Sequence, residues 1–188
     1  MVSQQRASDP FTGIQVTGVG KVIIKQDTVQ TLVVRADDNI IERVTTSVNN
    51  GILVVGLQQG SYNSITININ ASMKAIDRLE CIGTAEFLNS GQIQTDSLVC
   101  KITGAGKITL TGTAARQTVQ ITGAGDVHNF GLASSRCLAM ISGAGNVEVN
   151  VTQQLDAIIS GTGNITYTGG PQVVNKTITG IGNITAGH

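Results

Sequence analysis

The heptapeptide Ile141-Ser142-Gly143-Ala144-Gly145-Asn146-Val147 decides the fold, because near-copies of it recur along the C-terminal half of the chain. The copies occupy residues 102–108 (ITGAGKI), 121–127 (ITGAGDV), 159–165 (ISGTGNI) and 178–184 (ITGIGNI). Their first glycines are separated by 19, 20, 18 and 19 residues, and a degenerate copy begins at Cys81. A fixed period near 19 residues is typical of stacked repeat proteins, in which each unit packs on its neighbours.

Each repeat reads as a strand, a Gly-x-Gly turn and a second strand. Aliphatic residues recur two positions before the first glycine and four positions after it, and this parity faces inward in a strand. The preceding column contains Cys81, Ile102, Ile121, Ile141, Ile159 and Ile178, and the following column contains Phe87, Ile108, Val127, Val147, Ile165 and Ile184. A third inward column contains Cys100, Val119, Ala139, Ala157 and Lys176.

The opposite parity is polar, as expected for side chains that face solvent. One ladder contains Thr103, Thr122, Ser142, Ser160 and Thr179, and another contains Lys107, Asp126, Asn146, Asn164 and Asn183. Coils of about 19 residues stacked about 4.8 Å apart would place equivalent residues directly above one another. The sequence therefore predicts an all-β fold, a parallel right-handed β-helix (β-solenoid), with glycines where a Cβ would clash.

The region before the repeats predicts a strand-rich section that packs on the solenoid and caps it. Residues 31–35 form a β-branched run, and Asn50-Gly51 between apolar stretches predicts a tight hairpin. A carboxylate of Asp37 or Asp38 is expected to cap a short helix over residues 39–44. We therefore expect a disordered N-terminus at 1–10, the strand-rich section at 11–78 and the solenoid at 79–188.

Composition excludes several classes of protein. The chain has 188 residues, no net charge, 3% aromatic residues and 23 glycines, which suits an aliphatic core with many tight turns. There is no basic patch for nucleic acid, and no apolar run approaches the roughly 18 residues of a membrane span. Residues 1–12 lack the apolar core of a signal peptide, so none is expected in this sequence. We expect neither nucleic-acid partners nor membrane insertion.

The cysteines and glycines do not predict a cofactor or metal site. Cys81, Cys100 and Cys137 are widely spaced and odd in number, so we expect buried thiols rather than disulfides or metal ligands. The Gly-x-Gly turns lead into strands and not into the helix that a dinucleotide loop requires. The turns also lack the recurring carboxylates of calcium-binding solenoids.

One constellation could carry chemistry on the predicted solenoid surface. His128 and Glu148 both stand five residues after their first glycines, so they are expected to stack on adjacent coils, with Asp126 and Lys107 nearby. A histidine beside a carboxylate can act as a general base, as a polysaccharide lyase or hydrolase would need. A solvated ion-pair patch explains the same residues without any function. Asp126, His128 and Glu148 are therefore weak ligand-binding candidates, and no catalytic residue is assigned.

The chain resembles the auto-transporter adhesin, head GIN domain, family. The resemblance lies in the repeated Gly-x-Gly-[Asn/Asp/Lys]-[Ile/Val] units and in the lead-in motifs at 11–14, 32–37 and 50–53. It implies a pectin-lyase-like β-helix without the catalytic residues of those enzymes. It also implies an exported bacterial protein at the cell surface, associated with the outer membrane or in the periplasm.

The expected function is a non-enzymatic adhesion or interaction module that needs no cofactor. A glycan or another component of a host or envelope surface is the expected partner, and the sequence leaves homo-oligomers open. Two alternatives remain, a carbohydrate-active enzyme that uses the Asp126, His128 and Glu148 surface, and a structural element of an envelope complex.

Overall fold

The glycine repeats coincide with the turns of a continuous sheet that is wound into a β-solenoid. A computed structural model describes residues 1–187, so His188, the last residue of the predicted solenoid section, lies outside the described residues. The predicted parallel solenoid is confirmed, with about five turns and coils of about 20 residues.

Residues 1–187 form 17 strands, of which most belong to the solenoid. In chain order they are β1 (Val2–Gln5), β2 (Gly13–Val16), β3 (Val19–Gln26), β4 (Thr31–Ala36), β5 (Val44–Asn49), β6 (Ile52–Leu57), β7 (Ile67–Met73), β8 (Arg78–Cys81), β9 (Thr84–Asn89), β10 (Ile93–Ile102), β11 (Ala105–Thr109), β12 (Gly112–Ile121), β13 (Ala124–Ile141), β14 (Ala144–Ile159), β15 (Thr162–Thr168), β16 (Val173–Ile178) and β17 (Ile181–Ala186).

In-register parallel pairing stacks the aliphatic columns predicted from the repeats. Ile102 of β10 pairs with Ile121 of β12, which pairs with Ile141 of β13. Ile141 in turn pairs with Ile159 of β14, and these four side chains are at most 1% exposed. Burial of each such side chain stabilises the fold by about 1.5–3 kcal/mol. The predicted register of the inward columns is therefore confirmed for these coils.

The Gly-x-Gly turns stack so closely that side chains do not fit between them. A Cβ added to Gly143 would overlap the carbonyl oxygen of Gly123 in the preceding coil, and one added to Gly145 would overlap that of Gly125. Gly145 also has a φ of +152°, which L side chains rarely adopt. Both glycines of this turn are required by backbone contact between coils.

Hydrogen bonds between side chains join the coils on the solvent side of the turns. The backbone N–H and side-chain amide of Asn146 donate to Asp126 Oδ1 over 2.9 and 3.0 Å. The amide of Asn164 donates to Asn146 Oδ1 over 3.1 Å, and the N–H of Asn183 donates to Asn164 Oδ1 over 3.2 Å. The outward ladder predicted from the sequence is therefore hydrogen-bonded from coil to coil between Asp126 and Asn183.

The first two strands of the solenoid lie between strands that come later in the chain. β2 pairs in parallel with both β6 and β8, and β3 pairs in parallel with both β7 and β9. Gly18-Val19-Gly20 has the same Gly-x-Gly form as the repeats and is a turn of the stack, since Val19 pairs with Thr84. The register of the glycine turns therefore extends N-terminally beyond the obvious repeats.

Antiparallel strands cover the end of the solenoid next to β6 and β7. β5 pairs with β6 through a hairpin whose turn residues, Asn50 and Gly51, have φ of 51° and 75°, so the predicted hairpin is confirmed. β4 pairs with β7, and β1 pairs with β4. The expectation of disorder over residues 1–10 was wrong for β1, because its backbone completes the ladder along the free edge of β4.

The predicted helix over residues 39–44 is also corrected. The structure has a single 3₁₀ turn at Ile41–Arg43, and no side chain caps it. The backbone carbonyl of Asp37 accepts the N–H groups of Ile40 and Ile41, while its carboxylate accepts the N–H of Thr66 over 3.1 Å. The carboxylate bonds to the loop before β7 and therefore does not cap the turn.

The last coil leaves part of its inward columns uncovered. Ile178, predicted to face the core, is 45% exposed, and Ile181 is 74% exposed, because no coil follows β16 and β17 within residues 1–187. Ile184 of the same coil is 6% exposed. The predicted burial of Ile178 was therefore wrong, although its pairing with Ile159 is as expected.

The three cysteines are free and buried, as predicted. Burial raises the pKa of the Cys100 thiol to about 12, although a hydrogen bond from Asn129 lowers it somewhat. Burial is also the main cause of the raised pKa of Cys137. Both thiols therefore remain protonated near neutral pH.

Candidate functional site

The structure brings His128 and Glu148 together on the outside of the solenoid. They are directly paired in the parallel ladder between β13 and β14, as their equal offsets from the glycines predicted. His128 Nδ1 lies 2.7 Å from Glu148 Oε2, and the two side chains are 33% and 34% exposed. Since Glu148 holds one ring nitrogen, the imidazole is oriented by its neighbour in the next coil.

Asp126 lies on the same surface but takes part in a different set of contacts. Residues two apart on a strand share a face, so Asp126 is next to His128 on β13. Its Oδ1 atom accepts both hydrogen bonds from Asn146. Asp126 therefore anchors the bonded ladder of amides, and the structure records no hydrogen bond between it and His128 within residues 1–187.

Lys107 is paired in register with Asp126 on one side and with Glu86 on the other. Among the described residues, Glu86 instead forms an ion pair with Lys21, whose Nζ lies 3.1 Å from Glu86 Oε2. These two side chains are 42% and 39% exposed, so the pair contributes little to stability. Lys107 is exposed beside two carboxylates.

Lys21 and Glu86 extend this surface beyond the residues that the sequence indicated. Each lies three positions after the first glycine of its turn, at Gly18 and Gly83, as Lys107 does after Gly104. The parallel strand pairing is continuous across the coils from Lys21 through Glu86 and Lys107 to Asp126. The same three-residue offset, counted from Gly18 and from Gly83, would have identified both residues.

We call the outward surface of Lys21, Glu86, Lys107, Asp126, Asn146, Asn164, Asn183, His128 and Glu148 the lateral polar face. It presents charged groups of both signs in the first coils and neutral amides in the last ones, with one residue per coil about 4.8 Å apart. Such a row offers donors and acceptors to a polar partner that lies along the solenoid axis. It does not bring a second carboxylate into hydrogen-bond contact with the His128–Glu148 pair within the part of the chain described.

Within residues 1–187, no group of three or more His, Cys, Asp or Glu side chains is placed to hold a metal ion. Over the same residues, the structure contains no helix with the length and apolarity needed to cross a membrane.

Known proteins share both the sequence pattern and the fold. Residues 10–171 match the family model described as "Putative auto-transporter adhesin, head GIN domain". No curated protein matches the chain. The structure of a "putative adhesin" from Bacteroides fragilis has a TM-score of 0.78 and 21% sequence identity, covering 98% of this chain and 96% of that one.

Two further solved structures have the same fold. A "putative lipid binding protein" from Parabacteroides distasonis has a TM-score of 0.59 at 21% identity, and a "putative adhesin" from Parabacteroides merdae has a TM-score of 0.57 at 20% identity. Each alignment covers 100% of this chain and 96% of the other. At these identities, the likeness establishes the fold alone.

Proposed function

The chain belongs to the auto-transporter adhesin, head GIN domain, family, and on that basis we propose that it is a non-enzymatic adhesion or interaction module at a bacterial cell surface or in the periplasm. The observation that carries the proposal is the family match over residues 10–171. Membership of an adhesin family supports a surface or envelope location and binding to a surface component.

The lateral polar face supports this proposal as the binding surface. Its groups repeat once per coil and are held by the parallel register, so they form a rigid row. A polymer with regularly spaced hydroxyl or carboxyl groups, such as a glycan, could contact several coils at once, and weak contacts would then add together. We propose that His128 and Glu148 contribute to this surface by contact and not by catalysis.

A glycan-array screen of the purified chain, with a reducing-end assay on the glycans that bind, tests the proposal. We expect binding without release of new reducing ends. Replacement of His128 by Ala should weaken binding, whereas Gln120→Ala, on β12 and outside the lateral polar face, should leave it unchanged. Both variants should retain the wild-type circular dichroism spectrum.

Other outcomes would favour the other functions. Release of reducing ends that is lost in His128→Ala would identify a carbohydrate-active enzyme and overturn the non-enzymatic proposal. The absence of binding to any glycan or to isolated envelope fractions would favour a structural element. If His128→Ala and Gln120→Ala bind equally strongly, the lateral polar face does not take part in the interaction.

A further inference from the structure

A cleft of about 700 Å³ lies at the capped end of the solenoid, away from the lateral polar face. We call it the N-terminal cleft. Its walls are the segment that leads from β1 to β2, the start of β4, the turn at Gly51, and Lys74 and Ala75 after β7. Its volume falls within the range of about 300–1,000 Å³ that is typical of small-molecule sites.

The wall formed by the β1–β2 segment is held in place by the side chain of Gln30. Gln30 Oε1 accepts the N–H of Phe11 over 3.2 Å, and Gln30 Nε2 donates to the carbonyl of Asp9 over 2.9 Å. The N–H of Thr12 donates to the carbonyl of Gly51 over 2.9 Å, which joins this segment to the opposite wall. The cleft is therefore preformed, and a ligand would not need to order its walls.

Two charged residues, Arg6 and Lys74, line the cleft, and both are cationic. Among the described residues, no carboxylate lines it. The Arg6 guanidinium donates to the carbonyls of Val44 and Ile41 over 2.6 and 2.9 Å, so its donors serve the cap. The Lys74 ammonium forms no ion pair within residues 1–187 and remains available to an anion.

The remaining lining combines uncharged polar residues with five apolar ones, which are Ala7, Pro10, Phe11, Leu32 and Ala75. The polar groups of the rim are largely used in the bonds made by Gln30 and Thr12. A ligand that fits this surface combines an apolar body with one anionic group, because charge and apolar area are then both matched.

We propose that the N-terminal cleft binds a single-chain alkyl carboxylate, whose carboxylate pairs with Lys74 and whose chain lies along the apolar lining. The site is separate from the lateral polar face, so it can exist whether or not that face binds glycans. A neutral apolar ligand is the competing occupant, and the experiment below separates the two.

Isothermal titration of the full chain with octanoate, decanoate and dodecanoate, kept below their micelle concentrations, tests the proposal. Each added methylene that enters the cleft should tighten binding about fourfold, which corresponds to about 0.8 kcal/mol per buried CH₂. Lys74→Met should weaken carboxylate binding at least tenfold. Decanol, which lacks the charge, should bind wild type weakly and should bind the variant equally well.

A matched pair of substitutions locates the site. Ala75→Phe should fill the cleft and abolish binding of decanoate, whereas Ala115→Phe, at an exposed alanine on the solenoid wall, should leave it intact. Thermal unfolding confirms that both variants fold. The proposal is overturned if decanoate does not bind at millimolar concentration, if Lys74→Met binds it as tightly as wild type, or if Ala75→Phe leaves binding unchanged.

Discussion

The ammonium of Lys176 donates a hydrogen bond of 2.9 Å to the carbonyl oxygen of Ile184 on the other strand of the last coil. Lys176 is paired with Ala157, whose side chain is buried in the preceding coil. Its ammonium also lies 5.2 Å from the centre of the Tyr167 ring. A charged side chain thus lies across the uncovered end of the core, where the next coil would otherwise stack.

Lys176→Val should therefore promote association that rises with protein concentration. A cation at the open edge opposes pairing with another chain, and its loss would leave an apolar edge beside Val173, Ile178 and Ile181. Light scattering across a wide concentration range measures the effect. Lys107→Val removes the same charge from the lateral polar face and should stay as monodisperse as wild type. Equal behaviour of the two variants would mean that Lys176 does not guard the edge.

Ile159→Ala should destabilise the chain far more than Ile158→Ala. The two isoleucines are adjacent on β14, but Ile159 is fully buried between coils whereas Ile158 faces outward. The buried substitution should lower the free energy of unfolding by about 2–5 kcal/mol, and the outward one by less than about 1.5 kcal/mol. Urea unfolding measures both. Similar losses would contradict the inward register of the isoleucine column.

Gln117→Leu should stabilise the chain. Gln117 is 1% exposed, and neither of its side-chain polar atoms has a hydrogen-bond partner within residues 1–187. An unsatisfied buried polar group costs about 1–3 kcal/mol, and leucine has a similar volume. The melting temperature should rise, whereas Gln120→Leu, which faces outward on the same strand, should change it little. A lower melting temperature for Gln117→Leu would show that the amide is satisfied, for example by a buried water.

Gly143→Ala should impair folding, whereas Gly91→Ala should be tolerated. The added methyl group at Gly143 meets the backbone of the preceding coil, which cannot move without disturbing the stack. At Gly91, with φ +83°, nothing lies within 4 Å of an added Cβ, so the cost is only the backbone strain of about 1–2 kcal/mol. Circular dichroism and urea unfolding compare the variants. A native-like Gly143→Ala would show that the turns are not packed as described.

The Cys100 thiol should react slowly with a thiol reagent in the native state and rapidly in denaturant. Because burial raises its pKa to about 12 from a usual value of 9.0, the folded state holds the proton more tightly than the unfolded state. Its contribution to stability is therefore present below about pH 9 and is lost as the pH rises towards 12. Cys100→Ala should unfold with a weaker dependence on alkaline pH. Rapid native labelling at pH 8 would contradict the burial.

The repeats made most of the solenoid predictable, because one residue type per column determines the register. The pairing of His128 with Glu148 followed from equal offsets after the glycine. The bonds from Asn146 to Asp126 depend on rotamers, which a column pattern does not specify. β1 was missed because its polar sequence has no inward face to bury, and its order comes from the free edge of β4. The 3₁₀ turn was misjudged because Asp37 has a partner outside its own segment, in Thr66.

The placement of β2 and β3 between later strands determines the order in which the coils of the solenoid can complete their strand pairing. The side-chain partners Gln15 and Glu80 are separated by 65 residues, so the first coil cannot complete its pairing until β8 and β9 have been synthesised. The coils after β9 need only the coil before them, and each can add to a finished template. Shortening the chain from its C-terminal end should remove coils one at a time, whereas loss of β2 would divide the stack in its interior. The first coil can therefore close only late, whereas the later coils can form by successive addition.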